Sequence, residues 1–294
     1  MAESTSIAIS PGNQEARLSP GETYEGSFSV INPFPNAEPI SFRVKVAPFT
    51  VEDENFTLDF EDKTDYSQIV DWITLETTTG ELASHDSQVE VKYKITVPAD
   101  APAGGQYAAF LVRALPPEDT TEYDSSAAIK STSQVAMLLY ATVAGETRVE
   151  GKVLENNISP VYLDTPLKTS VFLGNTGNVH SRATITLRVY PLFSDEEIYT
   201  TEETPETLLV LPGAHTFSER TWQETPRLGL YRVEQEVDFA GLYTIDSQTV
   251  LVAPTWLILL VFLFIVGLFY WLIDHLRFYR RSSRKSTKKV AERS

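Results

Sequence analysis

The sequence has no cysteine, only four histidines and two methionines, and a single long run of apolar residues. Without thiols there is no disulfide scaffold, no thiolate zinc site, no iron–sulfur cluster and no thiol nucleophile. Positive charge is scarce as well. In 294 residues, 24 Lys and Arg stand against 40 Asp and Glu, a net charge of −16. That balance excludes a protein whose main face grips nucleic acid, because phosphate binding needs a basic surface. No glycine-rich phosphate loop opens a helix; Gly104-Gly105 precedes a strand pattern and reads as a turning of the backbone. His85, His180, His215 and His275 form no HExxH motif and no i, i+4 pair, and there is no GxSxG elbow. His180 follows an Asn-Thr-Gly-Asn turn and reads as a turn or strand-start residue. The sequence therefore assigns no catalytic, cofactor-binding or metal-ligating residue, and it predicts a protein that is not an enzyme.

An apolar fraction of 42% with 22% charged residues describes a folded chain. At roughly 100–150 residues per domain, its length allows about two domains. Charge is distributed unevenly. Residues 274–294 carry eight basic and two acidic groups, a local balance of +6, which leaves 16 basic and 38 acidic groups, −22, in the rest. Between these regions, Trp256–Ile273 runs eighteen residues without a charge. As a helix rising 1.5 Å per residue it spans about 27 Å, one hydrocarbon core. Trp256 at one end and Tyr270 with Trp271 near the other suit the aromatic belts of the two interfaces. This run predicts a single C-terminal membrane span.

Lys and Arg beside a span stay on the cytoplasmic side, so residues 1–255 are expected outside the cytoplasm and residues 274–294 inside. Met1–Ser6 has neither a basic n-region nor an apolar h-region, so the expectation is a chain from which a signal peptide has been removed. Absence of cysteine fits an exported bacterial protein. Two sequons, at Asn55 and Asn157, are short enough to arise by chance.

The extracytoplasmic part reads as strands almost throughout. Glu25–Ile31, Ile40–Val46 and Val89–Val97 place an apolar residue at every second position, as half-buried antiparallel strands require. Tyr107–Val112 and Val135–Val143 are more continuously apolar and suit central strands. Ser19-Pro-Gly21, Asn32–Asn36 and Pro98–Gly105 supply turns. Asp65–Asp71 spaces Tyr66, Ile69 and Val70 at helical intervals and predicts one or two turns of helix. A second series of strands is expected at Thr147–Glu155, Leu167–Leu173, Ala183–Pro191, Leu208–Leu211, His215–Trp222, Gly229–Val237 and Ser247–Val252, with Asn175–Asn178 a turn in which Gly177 supplies positive φ. About seven short strands with regular turn signals mark an immunoglobulin-like sandwich. The expected fold is all-β: two tandem immunoglobulin-like β-sandwiches, residues 1–146 and 147–253, followed by a single transmembrane helix at 254–273 and a basic tail at 274–294. Only Ala253-Pro254 joins the second sandwich to the membrane, which holds it against the headgroups. The acidic balance works the other way, since anionic lipid repels it.

Ser10–Glu22, Val30-Ile-Asn-Pro33, Asp71-Trp-Ile73, Val97–Tyr107 and the Val135–Val143 strand occur in an order that resembles the WxL-interacting proteins of Gram-positive bacterial surfaces. Gly174–His180, Val210-Leu-Pro-Gly213 and Trp222, closed by one helix and a basic tail, resemble that family's second half. The resemblance implies a membrane-anchored surface protein whose first domain binds peptidoglycan and whose second binds a host protein or another surface protein. It carries over no ligand-binding residue. Aromatic faces such as Tyr66 and Trp72 would suit a sugar–peptide polymer in the first domain, with a buried core position the alternative for Trp72.

Two further segments bear on binding. Glu52–Glu54 with Asp59, Glu61, Asp62 and Asp65 offers oxygen ligands for Ca²⁺ but lacks the D-x-[DN]-x-[DN]-G loop, and a solvated acidic loop is the commoner outcome. Pro116–Ser126 is a long polar insertion of the kind on which recognition tends to sit. The sequence thus favours a noncatalytic surface-binding or scaffold protein; the alternative is an accessory subunit of a membrane export or pilus-type complex.

Overall fold

The computed structural model describes residues 7–33, 39–51, 57–83, 87–115, 133–163 and 165–291. Met1–Ser6, Glu52–Glu54, the Asn55 sequon, His85, Pro116–Ser126 and most of the Asn32–Asn36 turn lie outside the described residues.

Strands form where side chains alternate between apolar and polar. In the first half these are β1 (Ala8–Ser10), β2 (Asn13–Leu18), β3 (Thr23–Ile31), β4 (Ile40–Pro48) and the short pair β5 (Thr50–Val51) and β6 (Leu58–Asp59). A 3-10 helix over Asp65–Asp71 follows, then β7 (Ile73–Leu75), β8 (Thr79–Leu82), β9 (Gln88–Thr96), β10 (Gly104–Ala114) and β11 (Gln134–Val143). They assemble as two sheets, ordered β1-β3-β9-β7 and β2-β11-β10-β4-β8. Val91, Tyr93 and Ile95 of β9 face Phe28, Phe42, Phe110 and Leu139 in one core. Each such side chain contributes roughly 1.5–3 kcal/mol by leaving water. Thr64 caps the 3-10 helix: its hydroxyl accepts from the Tyr66 amide, while Ser67 reaches back to the Thr64 amide.

The second half repeats this plan with β12 (Gly151–Ile158), β13 (Val161–Tyr162), β14 (Leu167–Asn175), β15 (Ser181–Pro191), β16 (Tyr199–Thr200), β17 (Glu206–Val210), β18 (His215–Trp222), β19 (Gly229–Phe239) and β20 (Leu242–Val252). One sheet is ordered β12-β14-β18 and the other β13-β20-β19-β15-β16, with β17 also on β15. In both halves the leading strand pairs antiparallel in one sheet, β1 on β3 and β12 on β14. The chain then crosses over and runs parallel to the last strand of the other sheet, β2 on β11 and β13 on β20. No ladder joins the two halves among the described residues.

Several expected boundaries move. Thr147–Glu150 is not strand; β12 begins at Gly151 and continues to Ile158, because residues 146–150 are engaged by a turn of the second half. β20 starts five residues before the expected Ser247. Gly104 and Gly105 open β10 rather than precede it. β1, β2 and the two parallel pairings had no counterpart in the sequence reading.

Helix α1 (Thr255–Ala291) begins three residues after β20 and passes the expected end at Ile273 without a break. Its Thr255–Ile273 stretch has a mean hydropathy of 2.8 and is nowhere buried by the rest of the chain, and it is long and apolar enough to cross a membrane.

Candidate functional site

In their middle stretches the outward faces of β10 and β11, with Tyr107, Ala109, Leu111, Leu138 and Tyr140, are apolar as well as the inward faces, and this explains the continuous apolar runs seen in the sequence. Ala108, Phe110 and Val112 point into the first core; the alternate residues Tyr107 and Ala109 point the other way. There, Tyr107, Tyr140 and Phe49 pack edge-to-face, with ring centroids 5.6–6.1 Å apart. Leu211 of the second half is buried against them. Both faces of these strands are thus covered, one by the first core and one by the junction between the halves.

His180 enters this junction from the second half. Its Nδ1 lies 3.3 Å from Tyr107 Oη, and its ring contacts both tyrosines at 5.7–5.8 Å. Burial pushes the imidazole below its ordinary pKa; Glu15 opposes that shift and Arg182 adds to it. Burial raises the Tyr107 hydroxyl further and pushes Tyr140 up to about 12. Glu15 on β2 and Arg182 on β15 form an ion pair across the boundary. His180 directly precedes β15, as its reading as a turn or strand-start residue expects, and it is a junction residue as well.

The Asn175–Asn178 turn latches the halves together. Asn178 Oδ1 accepts from the Arg148 amide at 2.6 Å, and its Nδ2 donates to the Glu146 and Ala103 carbonyls at 2.9 and 3.3 Å. Its own carbonyl accepts from the Gly105 amide at 2.7 Å. Thr176 and Gly177 amides both donate to Glu150 O at 3.0 Å. Gly177 does not have the positive φ expected of it. It is glycine because a Cβ would sit 2.2 Å from the Arg148 carbonyl oxygen. Gly104 does adopt positive φ, +119°, and a Cβ there would meet Asn178 O at 2.6 Å.

Beside the latch lies a cleft of about 250 Å³, lined on one side by Tyr66, Asp65 and Phe49 and on the other by the Leu211–Ala214 turn. Gln106, buried in β10, positions the 3-10 helix that forms the first wall: its Oε1 accepts from the Ile69 amide at 3.2 Å and its Nε2 donates to Asp65 O at 3.1 Å. Polar groups of that helix and its approach, among them Lys63 and Asp71 in a 2.8 Å ion pair, continue the surface outward. Tyr66 is at the cleft, whereas Trp72 packs half-buried against the first core. Of the acidic group, Asp59 spends its carboxylate on the Glu61 and Asp62 amides. Among the described residues, no three His, Asp or Glu side chains converge as metal ligands.

A second feature is the open edge of β20. In the first half the last strand, β11, is covered by β2 over six residues; β13 covers only Leu251 and Val252 of β20. No other strand among the described residues ladders with Leu242–Val250 on that side. Leu251 and Ala253 amides donate to Pro160 and Tyr162 carbonyls at 2.8 and 2.9 Å. By alternation, the amides of Tyr243, Ile245, Ser247 and Thr249 point to the open side. Leu242, Tyr243 and Ile245 are exposed beside them.

No protein-family model matches the chain, and no curated protein is significantly similar to it. Among solved structures it is similar to the CsuC–CsuE chaperone–tip adhesion subunit complex from Csu pili of Acinetobacter baumannii, with 8% identity over 83% of this chain and 98% of that one and a TM-score of 0.40. It is also similar to the YadV chaperone, with 11% identity, 83% and 99% coverage and a TM-score of 0.40. The E. coli chaperone DraB follows with 12% identity, 83% and 96% coverage and a TM-score of 0.37.

Proposed function

We propose that the chain is a noncatalytic binding scaffold displayed outside the cytoplasm on a single membrane span, and that it takes an extended segment of a partner protein onto the open edge of β20. In this reading residues 1–146 and 147–253 are two immunoglobulin-type sandwiches and residues 274–294 are a cytoplasmic basic tail. The observation that carries it is the row of edge amides that no strand ladders among the described residues, flanked by exposed Leu242, Tyr243 and Ile245. Such an edge is a template for strand addition, with backbone bonds giving affinity and side-chain contacts giving selectivity. The outward orientation is supported by the +6 balance beyond the span.

Proline is tolerated on an edge where its missing N–H would face solvent. Ser247→Pro should therefore keep the β19 ladder and the fold while abolishing capture of the partner by the detergent-solubilised full chain. Asp246→Pro removes a ladder amide instead and should lower the melting temperature. Capture of the same partners by wild type and by folded Ser247→Pro would sink the proposal. The identity of the captured protein separates a surface protein, including one of the WxL type, from a subunit of an export or pilus-type complex.

The cleft beside Tyr66 favours a second ligand class. An aromatic face with a polar rim suits a sugar–peptide polymer, and the resemblance to WxL-interacting proteins implies peptidoglycan for the first half. The full chain in detergent should sediment with purified wall, and Tyr66→Ala should reduce the bound fraction. Equal sedimentation of the two would remove the cleft from consideration.

A further inference from the structure

The second half ends toward the helix in an apolar rim. Val161, Leu251 and Leu230 are direct neighbours across β13, β20 and β19, on the sheet's outer face. Leu192 extends the row, its amide donating to Leu230 O at 3.0 Å. Beyond the row project Phe193, 93% exposed, and Leu228, 58% exposed. Polarity rises over the next two rows. The next row across the same face holds Tyr190, Arg232 and Thr249, and the one after it Arg188, Glu234 and Ser247. Arg232 lies over the Tyr190 ring, 4.6 Å from its centroid, and pairs with Asp195 at 3.2 Å. Apolar tips, then an aromatic with an arginine, then ionic groups is the order met on passing from acyl chains through headgroups to water.

The chain leaves this same end for the helix. Gly229 pairs with Val252, Ala253 is still hydrogen-bonded to Tyr162, and α1 starts at Thr255. Two residues of extended chain reach only ~7 Å. If Thr255–Ile273 spans a bilayer, the rim is held at headgroup depth.

We propose that this rim is a second membrane contact: Phe193, Leu228 and the Val161–Leu251–Leu230–Leu192 row seat in the acyl–headgroup boundary of the bilayer that α1 enters. The inference rests on the reading of Thr255–Ile273 as a span. The contact is apolar, so it is expected on uncharged lipid and at high salt, even though the acidic balance of the rest of the ectodomain repels anionic lipid. It ties down the second half and restricts its tilt on the two-residue connection.

Because the chain has no cysteine, single cysteines can report depth without background. Full-length Ser194→Cys, Asp62→Cys and Leu263→Cys, each carrying an environment-sensitive fluorophore, would be reconstituted in phosphatidylcholine vesicles with a spin label high on the acyl chain or near its end. The Ser194 label should be quenched severalfold more than the Asp62 label by the shallow spin label, independently of salt. The Leu263 label should be quenched by the deep one. Adding Phe193→Glu and Leu228→Glu should bring Ser194 quenching down to the Asp62 level and leave Leu263 unchanged. Quenching at Leu263 with none above control at Ser194 overturns the rim contact and leaves the span standing. No quenching at Leu263 overturns the span and the contact together.

Discussion

Three residues of the junction convert their surroundings into measurable behaviour. Gly177 has a carbonyl oxygen where a methyl group would go, and backbone atoms cannot step aside as a side-chain tip can. Gly177→Ala should cost about 1–3 kcal/mol, the usual penalty of overpacking. It should also loosen the latch, so that one calorimetric transition splits in two; an unchanged single transition at the wild-type temperature would refute the account. His180 makes a prediction in pH. Its folded pKa lies below the ordinary 6.5, so between the two values the unfolded chain binds the proton first. The stabilisation is complete above about pH 6.5 and declines as pH falls toward the folded value. As pH falls below about 6.5, the urea midpoint of wild type should drop more steeply than that of His180→Gln. Tyr140 acts with the opposite sign at the other extreme. Its raised value means stability is lost as pH climbs above about 10.

Strand β11 shows what an element's two faces do. Leu139 is fully buried in the first core, while Leu138 is half-buried in the junction. Leu139→Asp should prevent folding by burying an unpaired carboxylate; Leu138→Asp should fold and weaken only the contact between the halves, with circular dichroism and proteolysis distinguishing them. Periodicity made β3, β4, β9 and His215–Trp222 legible, since one covered face leaves a mark at every second residue. The short helix was legible from the helical spacing of Tyr66, Ile69 and Val70. Latch residues Arg148 and Glu150 were not, because their backbone groups, and not their side chains, do the binding. The exposed start of β20 carries no alternating burial to read. Parallel pairing of Asn13–Leu18 with Leu138–Val143 joins segments far apart in sequence and leaves no local trace. The one hint of the junction was the unbroken apolar character of Tyr107–Val112, a sign that something lay on the second face.

At the scale of the whole molecule, the proposed placement rests on α1 and the charge on either side of it. Leu263 is in the middle of the apolar stretch and exposed. Leu263→Arg should lower membrane insertion, a charge at that depth costing ~2.5–3.5 kcal/mol on insertion scales. Protease added outside intact cells or protoplasts should remove residues 1–255 and spare an epitope at Ser294. The reverse pattern would invert the orientation and withdraw the surface function with it.

The parallel ladder between β2 and β11 also has a mechanical meaning. Traction between the N-terminal end and the anchor pulls β2 by its start and β11 by its end, along one axis in opposite directions. The six paired positions Asn13–Leu18 and Leu138–Val143 then share the load in shear and must give way together. The equivalent clamp of the second half, β13 on β20, has two paired positions. In single-molecule pulling between the N-terminal end and α1, the second half should extend first and at the lower force, acting as a fuse that lengthens the chain before the first half is disturbed.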